Sequence, residues 1–362
     1  MRAAIHQVLP VFAGADAIGQ HTLALQRVLR RLGVRSEIYA RDIHAEVRAH
    51  AKPLERFEAV PGERTFLLYQ LSTGGPVADW VASRPEPLLL DYHNITPAEL
   101  FDPWEPAVGV ELRVARQQLA QLAPRALVGM ADSAYNAAEL EAAGCASPVV
   151  VPILLDPAHF DGDGDAAVAR RLQAQRAAGG GAVWLFVGRV APNKAQHDVV
   201  KAFALYRAVV DPGARLVLVG SPVGGRYPAA VAALVEGLGL SGCVEMPGSV
   251  SAAALAAYYR SADVFVCLSD HEGFCVPLLE AFHHGVPVVA FGSSAVPETA
   301  GSGAVVVPDK SPAVVATAVA RVLGDAGLRS ALVAAGRRRL ADFAPERTEA
   351  VVAGVVERLL AA

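Results

Sequence analysis

The sequence predicts an α/β protein built from two doubly wound domains, and three observations carry that expectation. With 362 residues, the chain is about twice the length of a typical domain, so two are expected. Short apolar runs alternate along it with longer amphipathic stretches, the pattern of βαβ units and parallel sheets. That alternation is interrupted near the middle by a stretch rich in Asp, Gly and Pro.

In chain order, the first half offers strands at 3–9, 36–40, 65–71, 87–92, 126–130 and 148–153. Helical patterns lie between them, among them 19–32 and 133–143, the second with Ser133 placed to cap it. Val149-Val150-Val151 runs without polar alternation, as a strand covered on both faces does. The second half repeats the scheme, with strands at 183–187, 216–219, 264–268, 286–290 and 304–307. Helices are expected at 198–210, 228–238, 252–260 and 277–284, and helical pattern dominates from Pro312 onward.

The expected division is a domain at 1–155, a linker at 156–181, a second domain at 182–344 and a C-terminal helix at 345–362 packing back towards the first domain. The linker rests on Leu155-Asp156-Pro157, Asp161-Gly162-Asp163-Gly164-Asp165 and Gly179-Gly180-Gly181, turn formers that suit a connection. Ligands of doubly wound sheets lie beyond the carboxyl ends of the strands. A cleft between two such domains is therefore the expected site, with its motifs on loops that follow strands.

Composition excludes several functions. A hydrophobic content of 53% with 19% charged residues provides for buried cores and argues against disorder. The net charge of −4 gives no reason to expect a nucleic-acid partner. No apolar run approaches the roughly 20 residues that span a bilayer, and the start lacks a secretory pattern. Cys145, Cys243, Cys267 and Cys275 show no C-x-x-C spacing, so reduced thiols in a cytoplasmic protein are expected.

Two segments carry chemistry. In Phe186-Val187-Gly188-Arg189-Val190-Ala191-Pro192-Asn193-Lys194, a buried strand ends, Gly188 permits a tight turn, and two cations follow. Arg189 offers a planar fork and Lys194 a point charge, a pair suited to a diphosphate. A solvated basic loop is the plainer alternative. The second segment runs from Ser269-Asp270-His271 through Glu272-Gly273-Phe274-Cys275-Val276-Pro277 to Glu280. Pro277 suits the opening of a helix, where backbone N–H groups and the dipole attract anions. Glu272 and Glu280 are carboxylates that accept hydrogen bonds, natural partners for a vicinal diol. Glu280 alone would equally suit a salt bridge on a helix face.

The order Phe-Val-Gly-Arg-x4-Lys, then Glu-Gly-Phe-Cys-x-Pro-Leu-x-Glu-Ala-x3-Gly-x-Pro-Val-Val, resembles glycosyltransferase family 4, the glycogen synthase- and mannosyltransferase-like retaining enzymes of the GT-B fold. The resemblance covers most of the second half, and its motifs are specific from 182 to 307. It implies that Arg189 and Lys194 hold and stabilise the departing diphosphate, and that Glu280 binds the ribose hydroxyls. It likewise implies that Glu272 and the amides of Gly273, Phe274 and Cys275 meet the donor sugar, with Val276 a further donor-binding residue. Gly188 would be among the donor-binding residues, Gly220 and Val250 would flank the base, and His93, after a first-half strand, would reach the transferred sugar. Two departures stand out. Cys275 occupies a position usually held by glycine, and the loop Gly14–Gly19 lacks the adjacent glycines of many relatives. Asp16 there would either orient an acceptor hydroxyl or cap the first helix, with Gly19 beside it.

Other signals are set aside. Gly14 and Gly19 have P-loop spacing, but Gln20-His21 replaces the Lys and hydroxyl residue of that motif. Asp161–Asp165 lacks the closing glutamate of a calcium loop and reads as surface. His283-His284 lacks a third metal ligand and reads as a helix end. The stretch 20–32 reads as a core-packing helix with a solvated basic face in preference to a membrane-surface helix.

The resemblance thus implies retaining, metal-independent transfer of a hexosyl group to an acceptor hydroxyl. The substrate is a nucleoside diphosphate sugar, with uridine or guanosine expected and no further cofactor. The acceptor (small molecule, glycan or lipid-linked) is open. A nucleotide-sugar epimerase and a non-catalytic nucleotide-sugar-binding relative are the alternatives.

Overall fold

A computed structural model of the chain describes residues 3–14, 16–155, 158–162 and 164–361. They fall into two compact units. The first takes in the described residues up to Ala98, Ala107–Leu155, and those from Phe343 on; the second takes in Glu99–Pro106 and the described residues from 158 to 342.

The first unit is organised on a parallel sheet of β1 (Ala3–Phe12), β2 (Ile38–Ile43), β3 (Ala51–Pro53), β4 (Arg64–Leu71), β5 (Leu88–Tyr92), β6 (Ala126–Ala131) and β7 (Val149–Val150). Their order is β3-β2-β1-β4-β5-β6-β7, with Val8 in register with Tyr39 on one side and Tyr69 on the other. The order runs outward both ways from β1, so the topological switch lies between β1 and β4. All five residues of β5 are buried, as the unalternating Leu-Leu-Leu run demands.

Helix Ala17–Arg31 buries Leu25, Val28 and Leu29 in the same cluster as Val352, Val355, Val356 and Leu359 of helix Pro345–Ala361. Arg31 also hydrogen-bonds Glu349. The basic helix near the start of the chain is thus a core-packing one.

The second unit carries β8 (Val183–Val187), β9 (Arg215–Val219), β10 (Val244–Gly248), β11 (Val264–Cys267), β12 (Val288–Phe291) and β13 (Ala304–Val307). They form a parallel sheet in the order β10-β9-β8-β11-β12-β13, and its switch lies between β8 and β11. Trp184 and Phe186 of β8 pack with Val199, Phe203 and Tyr206 of helix Gln196–Val209, and with Val315 and Val319 of helix Pro312–Gly324. Among the described residues, no helix is long and apolar enough to cross a membrane.

Three differences from expectation have simple causes. β3 and β10 lie at sheet edges, where only one neighbour demands pairing, and β10 contains Glu245 and Pro247, residues that weaken a strand signal. The stretch expected as a linker contains helix Ala166–Ala177, capped by Asp165, which accepts from the N–H groups of Ala167 and Val168 at 2.8 and 3.1 Å. That helix buries only Leu172. It is held instead by Arg171, which forks onto Glu245 at 2.7 and 2.8 Å and reaches the Tyr258 hydroxyl at 2.9 Å. Arg176 adds a second ion pair, to Asp263 at 2.5 Å, and a helix held by ion pairs shows no amphipathic stripe. Asp156, Pro157 and Asp163 of the expected linker lie outside the described residues, as does Ala15 of the loop before the first helix.

Leu359 is 6% exposed in the core shared by helices Ala17–Arg31 and Pro345–Ala361. Leu359→Ala is expected to destabilise the first unit by about 2–5 kcal/mol. Urea unfolding followed by hydrogen exchange, resolved by unit, measures it; loss confined to the second unit would contradict this packing.

Candidate functional site

The second unit builds its site from the loops after β8 and β11, the two strands at the switch. Beyond β8, Gly188 adopts φ +153° and its N–H donates to Val219 O at 2.9 Å. Gly220, beyond β9, is fixed as glycine by space. It has φ +149°, and an added Cβ would lie 2.0 Å from the Gly188 carbonyl oxygen. Its N–H donates to Gly248 O at 3.0 Å, which brings in the end of β10. Val250 follows, half-buried, just ahead of helix Ala252–Ser261. Gly188, Gly220 and Val250 thus belong to one row of strand ends.

The β8 loop turns through Pro192–Lys194 and enters helix Gln196–Val209 at Ala195, whose φ is +49°. The loop after β11 is bound directly to it. Asn193 O accepts from the N–H of Asp270 at 2.8 Å, and Asn193 Nδ2 donates to His271 O at 3.2 Å. One residue on, Lys194 Nζ donates to both oxygens of Glu272, at 2.7 and 2.6 Å. Their side chains are 19% and 9% exposed. Burial works against the lysine's charge, but the attraction of Glu272 holds its pKa above the ordinary lysine value. Arg189 is exposed, while its carbonyl accepts from Gln196 Nε2 at 2.8 Å. The Ser294 hydroxyl accepts from the N–H of Glu272 at 2.7 Å and fixes the far side of that residue.

Gly273, Phe274 and Cys275 then lead into helix Val276–His283. Cys275 caps it at φ +72°, in the left-handed region that favours glycine. Glu280, half-buried in the helix, receives the Tyr259 hydroxyl at 2.7 Å on Oε2. Burial pushes its carboxyl above the usual range, against the opposing hydrogen bond from Tyr259. His284 stacks on the Tyr259 ring at 5.3 Å, and His283 Nε2 lies 2.7 Å from Asp161. Those two imidazoles lie at the C-terminal end of that helix.

The first unit holds His93 and Asp16. Asp16 is an exposed N-cap whose carboxylate accepts from the N–H of Gly19 at 2.6 Å. Gly19 is needed because a Cβ there would meet Ala13 O at 1.7 Å. Of the two roles open to Asp16, this geometry displays the cap.

His93 departs from expectation. Its side chain is 1% exposed, and both ring nitrogens are engaged. Nδ1 lies 2.9 Å from Asp132 Oδ1, and Nε2 bonds Gln70 Oε1. Gln70 Nε2 donates to Gln7 Oε1 at 3.0 Å, which orients the amide so that its oxygen faces His93. Both nitrogens of His93 therefore donate, and the ring is an imidazolium. Burial opposes that charge, but Asp132 and then Asp91 overcome it and push the pKa up to about 9. Beside it, His21 Nδ1 accepts from the N–H of Leu154 at 2.9 Å, and its Nε2–H donates to Asp91 Oδ2 at 2.9 Å. The ring expected to reach a sugar thus forms part of a buried charge network.

With this geometry in place, the likeness to known proteins is informative. Residues 170–339 match the family described as glycosyl transferases group 1. A D-inositol 3-phosphate glycosyltransferase of Kineococcus radiotolerans is 34% identical over 246 residues, 64% of this chain and 56% of that protein. A GDP-mannose-dependent alpha-(1-6)-phosphatidylinositol monomannoside mannosyltransferase of Mycobacterium tuberculosis is 38% identical over 160 residues, 42% of this chain and 40% of that one. Over residues 170–339 the chain is similar to a group 1 glycosyl transferase domain. It spans about half the length of the curated relatives it matches.

Solved structures agree on the fold. Sucrose-phosphate synthase of Thermosynechococcus elongatus matches with a TM-score of 0.76 at 19% identity, over 100% of both chains. Anabaena HepE in complex with UDP and glucose matches with a TM-score of 0.72 at 16% identity, over 99% of this chain and 100% of that one. The architecture is GT-B, as the motifs imply.

Within the matched residues, Lys194 and Glu272 come together from 78 positions apart, while Arg189 and Glu280 lie on the same two connections. Sequence reasoning missed Tyr259, the partner of Glu280, and Lys310, which joins Asp198 at 2.8 Å to Asp270 at 2.6 Å. It also missed the first unit's Asp91, His21 and Asp132. One signal was available there, an acid inside an otherwise apolar strand.

For His93, a folded pKa near 9 against 6.5 gives stability that is full below pH 6.5 and is lost as pH rises through 9. On the order of 3 kcal/mol is at stake. Wild-type protein should therefore lose stability across that window more steeply than His93→Gln, in melts at stepped pH. Parallel pH slopes would contradict the imidazolium.

Proposed function

We propose that this chain is a retaining, metal-independent glycosyltransferase, moving a hexosyl group from a nucleoside diphosphate sugar to an acceptor hydroxyl. One observation carries the reading: Lys194 and Glu272 meet at the carboxyl ends of β8 and β11, where a doubly wound sheet binds its ligand.

The chemistry follows from residue types. The leaving diphosphate gains negative charge as the glycosidic bond breaks. Fixed positive partners that meet that charge supply a large share of catalysis. Lys194 is held charged in a partly buried site, and Arg189 offers a second cation on the same loop. The start of helix Val276–His283 adds backbone amides and the positive end of its dipole. Glu280 has Oε2 occupied by Tyr259 and keeps Oε1 for a ribose hydroxyl. Glu272 serves two partners, Lys194 and the hydroxyls of the donor sugar. Its grip by Lys194 makes it a poor nucleophile, which favours attack from the face the diphosphate leaves. His93, enclosed as an imidazolium, acts as a positioning charge rather than a sugar contact.

Names of related proteins narrow the substrates to test. HepE was solved with UDP-glucose, and the mycobacterial relative uses GDP-mannose. Uridine and guanosine diphosphate sugars are therefore the proposed donors. An inositol phosphate is the first acceptor to try, after the inositol 3-phosphate relatives.

Incubation with each donor and acceptor, read by NMR of the anomeric proton, tests the proposal. An α-linked product from an α-donor is expected, at a rate that chelation does not lower. Arg189→Ala and Lys194→Ala should each lose about a hundredfold in rate, on the order of 3 kcal/mol. A β-linked product, abolition by chelator, or isomerised donor without acceptor would each overturn it.

A further inference from the structure

Cys267 ends β11 and Cys275 caps helix Val276–His283. Both are free and buried, 1% and 5% exposed. Their sulfurs lie 3.8 Å apart, and the ligand atoms of Cys267, Cys275 and Glu272 all fall within 4.8 Å of one another. We propose that these three side chains form a binding site for a thiophilic divalent cation, zinc first among them, at the base of the proposed donor site.

The geometry fits. A zinc ion about 2.3 Å from each of two sulfurs, at a tetrahedral angle, sets those sulfurs about 3.8 Å apart. Two thiolates and a carboxylate supply three positions and leave a fourth for water. Thiolates select zinc over magnesium or calcium. The surrounding groups are those that orient metal ligands. Ser269 Oγ sits 3.4 Å from Cys267 Sγ, and Ser294 fixes the Glu272 backbone at 2.7 Å. Lys194 holds both Glu272 oxygens, so one can turn to the ion while the other keeps the lysine.

Charge balances as well. Each thiol gives up its proton, so a dication replaces two protons and the net charge of the cluster is unchanged. Lys194 and Glu272 keep some solvent exposure, 19% and 9%, which gives the ion a route inward. The backbone adds an independent observation. Cys275 holds φ +72°, a conformation that costs a cysteine where glycine would sit freely. Strain of that kind, retained, points to a function for the side chain.

Zinc bound there would engage Glu272 and compete with the donor. That consequence rests on the function proposed above, whereas the cation site itself does not. A disulfide is the rival use of the pair, but it needs the sulfurs to close to about 2.05 Å and leaves Glu272 unused.

Calorimetric titration of the full, reduced, metal-stripped chain with zinc chloride tests the site. One ion per chain is expected, with release of two protons, seen by repeating the titration in buffers of different ionisation enthalpy. Cobalt in its place should show thiolate charge-transfer absorption. Cys267→Ser and Cys275→Ser should weaken zinc binding at least about a hundredfold, and Cys243→Ser, which alters a buried thiol outside the cluster, should leave it unchanged. Cys275→Gly, which suits the backbone, provides a folded variant should the serine fail. Absence of stoichiometric zinc, equal binding in the cysteine variants, or a Cys267–Cys275 disulfide that persists in reductant would overturn the proposal.

Zinc should also weaken nucleoside diphosphate sugar binding at least tenfold in the wild type but not in Cys275→Ser. Zinc bound without that effect would overturn the overlap with the donor. Failure of the metal-free chain to bind any nucleoside diphosphate would sink the proposed function and leave the zinc result standing.

Discussion

The site depends on a clamp between two loops that lie far apart in sequence. Asn193 binds the loop after β11 through both its carbonyl and its amide, and Lys194 grips Glu272 one residue further on. Together they convert two flexible connections into one surface at the point where the sheet's strand order reverses. An isolated lysine in such a place would pay for its burial by losing its proton. Paired with Glu272 it keeps its charge, and that charge is what the proposed departing diphosphate would need.

Glycines set how closely the strand ends approach. Gly220 lies against the Gly188 carbonyl at a distance that admits no side chain, and its N–H ties in the end of β10. Cys275 occupies the corresponding kind of backbone at the helix entrance, yet carries a side chain. The consequence is a sulfur beside a second sulfur and a carboxylate, all three enclosed. In the first unit, His21, Asp91, His93 and Asp132 place charge inside the sheet's carboxyl edge. Gln7 and Gln70 fix its polarity, and His93 stays protonated because two carboxylates outweigh the cost of burying it.

Much of the fold is legible in the sequence because buried parallel strands leave unalternating apolar runs. Trp184-Leu185-Phe186 and Val288-Val289-Ala290 are strands for that reason. Edge strands such as Ala51–Pro53 give no such signal, and helix Ala166–Ala177 is held by two ion pairs rather than a stripe. The site was legible where its chemistry is contiguous, as in Arg189 through Lys194 and Glu272 through Glu280. It was opaque where partners arrive from afar. Tyr259 reaches Glu280 across 21 positions and His21 reaches Asp91 across 70, and nothing in local pattern encodes such a meeting. His93 shows the converse. The resemblance placed it at the transferred sugar, whereas the acid two residues before it and Asp132 hold its side chain inside.

Calorimetry of the reduced, metal-free chain against UDP, GDP, ADP and their sugar conjugates tests the central claim most directly, with Glu280→Gln as the control. One nucleoside diphosphate should bind at one site per chain, and Glu280→Gln should weaken it at least about tenfold through loss of the charged ribose contact. Binding of none of them by the folded wild-type chain would contradict a donor site at the ends of β8 and β11. So would equal binding by Glu280→Gln.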